Sequence, residues 1–187
     1  GSNIFFIDLN GLKQKVELLH PEFKDVNVRR LLPDRLVVEA GLRRAVAQIQ
    51  SDRYYFIDNE KVLLPDVKNF PDPNLPVITG MGINLAKAAG FKFRKFERDK
   101  LDKAMGLIKE MSDNERLKGY KLKVVDITDP GNVSFFLTRA NVEIKIGNSG
   151  FRERLEVLAT VLDQLGSDIG NFKYVDLRFE DPIVGPR

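Results

Sequence analysis

At 187 residues, with 43% hydrophobic and 30% charged positions, the chain has the composition of a folded globular protein, and its lack of cysteine excludes disulfides and thiolate metal sites. A formal charge of +3 is too small to imply a polyanionic partner by itself. No apolar run approaches the roughly 20 residues of a membrane span, no signal-peptide pattern opens the chain, and Gly1-Ser2 reads as a cloning remnant.

Leu9, Leu12, Val16 and Leu19 recur at spacings of three and four, which predicts a short amphipathic helix stopped by His20-Pro21. Val26 and Val28, then Leu36, Val38 and Ala40, alternate with polar residues around Leu32-Pro33-Asp34; this predicts a β-hairpin with one buried face. Short strands follow at 45–49, 53–57 and 62–65, separated by Gln50-Ser51-Asp52 and Asp58-Asn59-Glu60, the pattern of an antiparallel meander. The stretch 69–82 carries three prolines and two glycines and reads as a rigid surface loop with a short central strand, Val77 to Thr79. Leu101, Ala104, Met105, Ile108 and Met111 mark a helix. A second meander covers "YKLKVVDI", "VSFFL" and "VEIKI". A clear amphipathic helix runs from Phe151 through Leu165, and "KYVDLRF" at 173–179 supplies a late strand before "EDPIVGPR". Helices interrupting antiparallel strands, without regular βαβ alternation, indicate the α+β class.

Candidate chemistry is sparse. His20 has no partner nearby in sequence and sits at a helix end, where capping or packing accounts for it better than general-base work. "GMGINL" places Gly80 and Gly82 where a phosphate-cradling turn would stand, but the third glycine position is Leu85 and no Gly-Lys-Ser/Thr follows, so it reads as a loop. Asp126 and Asp129 flank "DITDPGN", whose composition is turn chemistry rather than a cation site, and Asp176 is the third carboxylate weighed with them. The segment 87–100 interleaves Phe91, Phe93 and Phe96 with Lys92, Arg94, Lys95 and Arg98. That mixture suits single-stranded nucleic acid or an anionic membrane surface, but with Glu97 and Asp99 in the same segment it is more simply read as Phe91 and Phe93 packed inward with the cations facing water. The Arg29-Arg30 pair reads as a solvated face. No catalytic constellation, cofactor motif or metal-ligand spacing emerges.

The order of blocks resembles the FtsQ/DivIB family of bacterial cell-division proteins. The resemblance is carried by Asn3-Ile4-Phe5 before the first helix, Pro21 with an aromatic soon after, "VNVRR", the Pro33-Asp34 turn and "AVA". It continues through "YYFIDNEKVLLP", "LPVITG", "FLTRANVEIKIG" and "RLEVLATVL", and closes on "YVDLRF". Two departures stand out: Arg44 precedes Ala45 where the family usually has proline, and the strand and helix that open the family's POTRA domain are not present before Asn3.

The resemblance implies an α+β chain made of a partial POTRA domain, 3–49, followed by a mostly antiparallel β domain with two or more helices, 50–187. It implies a non-enzymatic divisome scaffold without cofactor, anchored in the inner membrane by one transmembrane helix absent from this chain, with this region on the periplasmic side at the division septum. FtsB/FtsL-like proteins are the expected partners, held by strand addition at the C-terminal strand; other septal proteins are candidates for the POTRA domain, and no nucleic acid is expected. By position in the motif, Arg178, Phe179, Glu180, Asp181, Ile183 and Val184 are the partner-binding candidates, with Arg178 an ion-pairing or strand-orienting residue and Pro182 limiting the strand. The alternative is a nucleic-acid or anionic-surface module built on 87–100.

Overall fold

The computed structural model describes residues 4–85, 93–138 and 142–187. Helix α1 (Leu9–Leu19) starts at Asp8, whose carboxylate accepts the Asn10 amide at 3.0 Å, and ends at His20, whose N–H still reaches Val16 O. Pro21 follows, as the sequence requires of a helix stop. Strands β1 (Phe23–Leu31) and β2 (Arg35–Leu42) form the hairpin, with Val28 opposite Val38 and Arg30 opposite Leu36. One extra residue enters β1 between Lys24 and Asn27, where Asp25 takes φ +53°. The expected buried face is only partly buried: Val26 is enclosed and Val28 and Leu36 are half-buried, while Val38 and Ala40 lie exposed. Length explains it, because an 11-residue helix spans roughly 16 Å against roughly 30 Å for a nine-residue strand.

The second sheet has nine strands: β3 (Ala47–Gln50), β4 (Tyr54–Ile57), β5 (Leu63–Lys68), β6 (Val77–Thr79), β7 (Leu122–Asp126), β8 (Ser134–Leu137), β9 (Glu143–Lys145), β10 (Phe172–Asp176) and β11 (Ile183–Pro186). They lie in the order β11-β10-β9-β8-β7-β6-β3-β4-β5. Both meanders form as the alternation predicts, and antiparallel neighbours predominate. Three pairs, β3/β6, β6/β7 and β9/β10, are parallel. Parallel neighbours need a long crossover, and α2 (Lys95–Asp113) lies in one such connection and α3 (Phe151–Leu165) in another. The chain therefore contains two βαβ crossovers set among antiparallel pairs, without the regular alternation of an α/β fold, as the α+β class requires.

In the stretch 69–82, residues 69–76 form a largely exposed loop and the expected strand Val77–Thr79 follows. Its strand β6 stands in the middle of the sheet with Ile78 fully buried. Gln48, fully buried on β3, ties down the preceding turn: its amide donates to Asp72 O and Leu75 O at 2.7 and 2.9 Å and its Oε1 accepts the Asp72 amide. Ile49, Ile78, Val125, Phe135, Ile144 and Val175 share one core with Leu101, Leu107, Leu155 and Leu158 from the two helices. Each such side chain contributes about 1.5–3 kcal/mol by leaving water. The division drawn at 49/50 falls inside β3, whose ladder partners all belong to the larger sheet; the chain passes between the sheets at 43–46. Among the described residues no helix is long and apolar enough to cross a membrane.

Candidate functional site

The segment singled out in the sequence forms two strands joined by a bend. Strand β10 is interior, parallel to β9 and antiparallel to β11, with Val175 opposite Val184 and Asp176 opposite Ile183. Val175 and Leu177 are buried, as ladder and core positions should be, and the Leu177 amide donates to Lys145 O at 2.8 Å.

Arg178 follows β10, and its spacing of two from Asp176 sets both side chains on one face. Its Nε and Nη2 donate to the two Asp176 carboxylate oxygens at 2.9 and 2.6 Å, and Nη1 donates to Asn132 Oδ1 at 2.6 Å. Hydrogen bonding from Arg178 holds the Asp176 carboxyl below the usual range despite its burial, and the same bond raises the Arg178 pKa. Arg178 is thus fully engaged within the chain, and its guanidinium lies 5.9 Å from the Phe179 ring centroid. Phe179 is 58% exposed, and Glu180 and Asp181 are exposed in the bend.

Beyond Pro182, β11 has a neighbour on one side only among the described residues. Ile183 points outward, 46% exposed, and Val184 turns inward to pack against the core. Between Pro182 and Pro186 three residues retain a backbone N–H, so the open edge is short. The six candidates therefore cluster at one corner of the sheet, with Phe179 and Ile183 as its exposed apolar surface.

The other sequence candidates resolve into local structure. His20 Nδ1 lies 3.0 Å from Glu22 Oε1, and its ring meets Phe23 at the end of α1. Gly80 takes φ +82° with its α-carbon pressed on the Thr128 backbone, so it serves close packing rather than a phosphate cradle. Asp126 caps the Thr128 amide, and Asp129 accepts from Gly131 and Asn132, which is turn chemistry. No cluster able to hold a metal ion occurs among the described residues.

In the basic segment, positions 87–92, including Phe91 and Lys92, lie outside the described residues. Phe93 is buried, Arg94 is paired with the buried Glu97, and Lys100 is buried with its ammonium donating to Gly80 O and Thr128 O; Phe96 is exposed. The two arginines of β1 split: Arg29 pairs with Glu39 at 2.8 Å, while Arg30 donates to Ile4 O and Ile7 O and holds down the chain before α1.

Sequence reasoning passed over Arg43. Its Nη1 donates to Asp58 Oδ2 at 2.5 Å and Glu60 Oε2 at 2.8 Å, and its Nε to Phe23 O at 3.2 Å. One side chain thereby links the hairpin to the β4–β5 turn. Nothing in the local sequence marks it, since its partners stand 15 to 20 positions away.

Comparison with known proteins bears on this architecture. Residues 45–178 match the family described as "Cell division protein FtsQ/DivIB, C-terminal". The chain is 24% identical to the cell division protein FtsQ of Syntrophotalea carbinolica over 98% of this chain and 64% of that protein. It is 29% identical to FtsQ of Koribacter versatilis over 97% of this chain and 51% of that one. Cell division protein DivIB of Clostridium tetani is 25% identical over 79% of this chain and 54% of its own. The chain thus spans roughly half to two-thirds of these curated relatives.

Proposed function

The chain belongs to the FtsQ/DivIB family of cell-division proteins, and on that premise we propose that it is a divisome scaffold without catalytic activity that holds FtsB/FtsL-like proteins by strand addition at β11. The observation that supports this reading is the position of β11: a terminal strand with one side unpaired, flanked by the exposed apolar side chains of Phe179 and Ile183. An incoming strand would gain backbone hydrogen bonds from the open edge and specificity from side chains alternating above and below the sheet. Phe179 and Ile183 supply the apolar contact, Val184 closes the core side, and Glu180 and Asp181 supply the polar rim. Arg178 orients the bend through Asp176 rather than reaching for the partner.

In the whole protein, the α1 and β1–β2 unit acts as a POTRA-type docking module, and the assembly sits at the septum, held to the membrane by a segment outside this chain. The test is titration of this chain with the extracytoplasmic segment of the FtsB-like protein from the same genome. Phe179→Ala and Ile183→Lys should each weaken binding by about tenfold or more, as for anchors in a small interface, with unchanged melting temperature. Wild-type affinity in both variants would remove the site assignment.

A further inference from the structure

The outer face of the sheet beside β11 carries two donors with no acceptor among the described residues, the Tyr174 hydroxyl and the Lys145 ammonium. Gly185 pairs with Tyr174 in the β10–β11 ladder, and the Tyr174 ring lies directly across it; a β-carbon on Gly185 would overlap ring atoms Cε1 and Cζ. The ring therefore extends from β10 over the backbone of β11, and the hydroxyl, bonded to Cζ, is carried to the sheet's edge. That hydroxyl makes no hydrogen bond among the described residues.

Above the ring stands Lys145 of β9, its Nζ 4.5 Å from the ring centroid. Lys145 forms no ion pair among the described residues; its attraction is felt by Asp176, whose carboxylate is already held by two Arg178 nitrogens. Glu143 stands two positions before Lys145 on the same strand and face, in register with Tyr174 on the side of β10 away from β11, and its charge is felt by Arg178.

We propose that Tyr174 and Lys145 form a specificity subsite that selects, in the strand added to β11, an acidic side chain at the outward-facing position beside Gly185. This rests on the strand-addition reading. The partner carboxylate accepts from the Tyr174 hydroxyl and answers the unpaired Lys145 charge, while the ring, fixed between ammonium and glycine, supplies a preorganised wall. Gly185 is part of the device because any larger residue would displace the ring.

The test uses this chain with the extracytoplasmic segment of the FtsB-like protein of the same genome as probe, reading affinity by calorimetry and amide exchange at 183–185 by NMR. Tyr174→Phe and Lys145→Met should each weaken binding by about tenfold, the scale of one charge-assisted hydrogen bond, with melting unchanged. Lys118→Met, which removes a distant exposed charge, should bind as wild type. If the 183–185 amides gain protection on binding yet both variants keep wild-type affinity, the subsite is wrong and strand addition stands. Equal weakening in all three variants assigns the effect to overall charge and also overturns the subsite. Absence of protection in the wild type overturns strand addition and the subsite together.

Discussion

Replacing Arg43 with methionine keeps its aliphatic stem and removes its hydrogen bonds to Phe23 O, Asp58 and Glu60, the polar links between the hairpin and the β4–β5 turn described above. Asp58 is 1% exposed, and its two oxygens are served separately: Oδ1 accepts the Glu60 and Val62 amides at 3.0 and 2.8 Å, while Oδ2 accepts Arg43 alone. The variant leaves Oδ2 buried without a donor. Breaking a buried ion pair from one side costs about 3–5 kcal/mol. Two retained amide bonds reduce that figure here, and the half-exposed Glu60 adds little, so about 2–3 kcal/mol is expected.

Chemical denaturation of wild type, Arg43→Met, Asp58→Asn and the double variant should return a coupling energy of at least about 1 kcal/mol between the two positions, as for residues in one network. Amide exchange at Glu60 and Val62 should accelerate in Arg43→Met. A loss below about 0.5 kcal/mol, the range of unremarkable surface substitutions, with unchanged exchange would refute the idea that this arginine fixes the joint.

Three further outcomes follow from the same geometry. Asp176→Asn should destabilise the fold by about 1.5–3 kcal/mol at neutral pH by weakening a charge-assisted pair; because the folded Asp176 pKa lies below its unfolded value, the wild-type advantage is complete above about pH 4 and fades as pH falls through the folded value, so the two unfolding curves should converge in acid. Gln48→Leu leaves the Leu75 carbonyl and the Asp72 amide without the Gln48 partner, while the Asp72 carbonyl keeps only the Leu75 amide, and should cost about 2–4 kcal/mol in denaturation, with faster exchange at 72–75. Gly185→Ala should displace the Tyr174 ring at a cost of about 1–2 kcal/mol, seen as a shift of the Tyr174 ring resonances; an unmoved ring would contradict the packing described.

What was legible in the sequence was what periodicity carries. The helical spacing of Leu9, Leu12 and Val16, the Phe151–Leu165 stripe and the two meanders emerged because their side chains repeat at 3.6 or 2 positions. Strand β6 was read at its bounds, Val77 to Thr79, but not its place in the middle of the sheet, since both neighbours on its ladder come from distant segments. The parallel pairings, the Arg43 linkage and the passage of Tyr174 over Gly185 depend on which strands become neighbours in space. Local pattern does not encode that.

The nine-stranded sheet has two free edges, and they differ chemically. The β5 edge carries Pro65, which has no N–H, with Asp66 and Lys68 nearby, and its pairing with β4 breaks register between Tyr55 and Ile57. Proline, charge and an irregular ladder are the means by which an edge is protected against further strands. The β11 edge is bounded by Pro182 and Pro186 and its ladder with β10 also shifts register beside Gly185, but the three residues between are apolar or glycine and are accompanied by an exposed phenylalanine. Two edges of one sheet face the same solvent, so avoidance of aggregation alone would protect both. The three-residue apolar window left between the prolines of β11 is what the proposed addition of a partner strand at the C-terminal corner requires, and it limits such an addition to a short ladder.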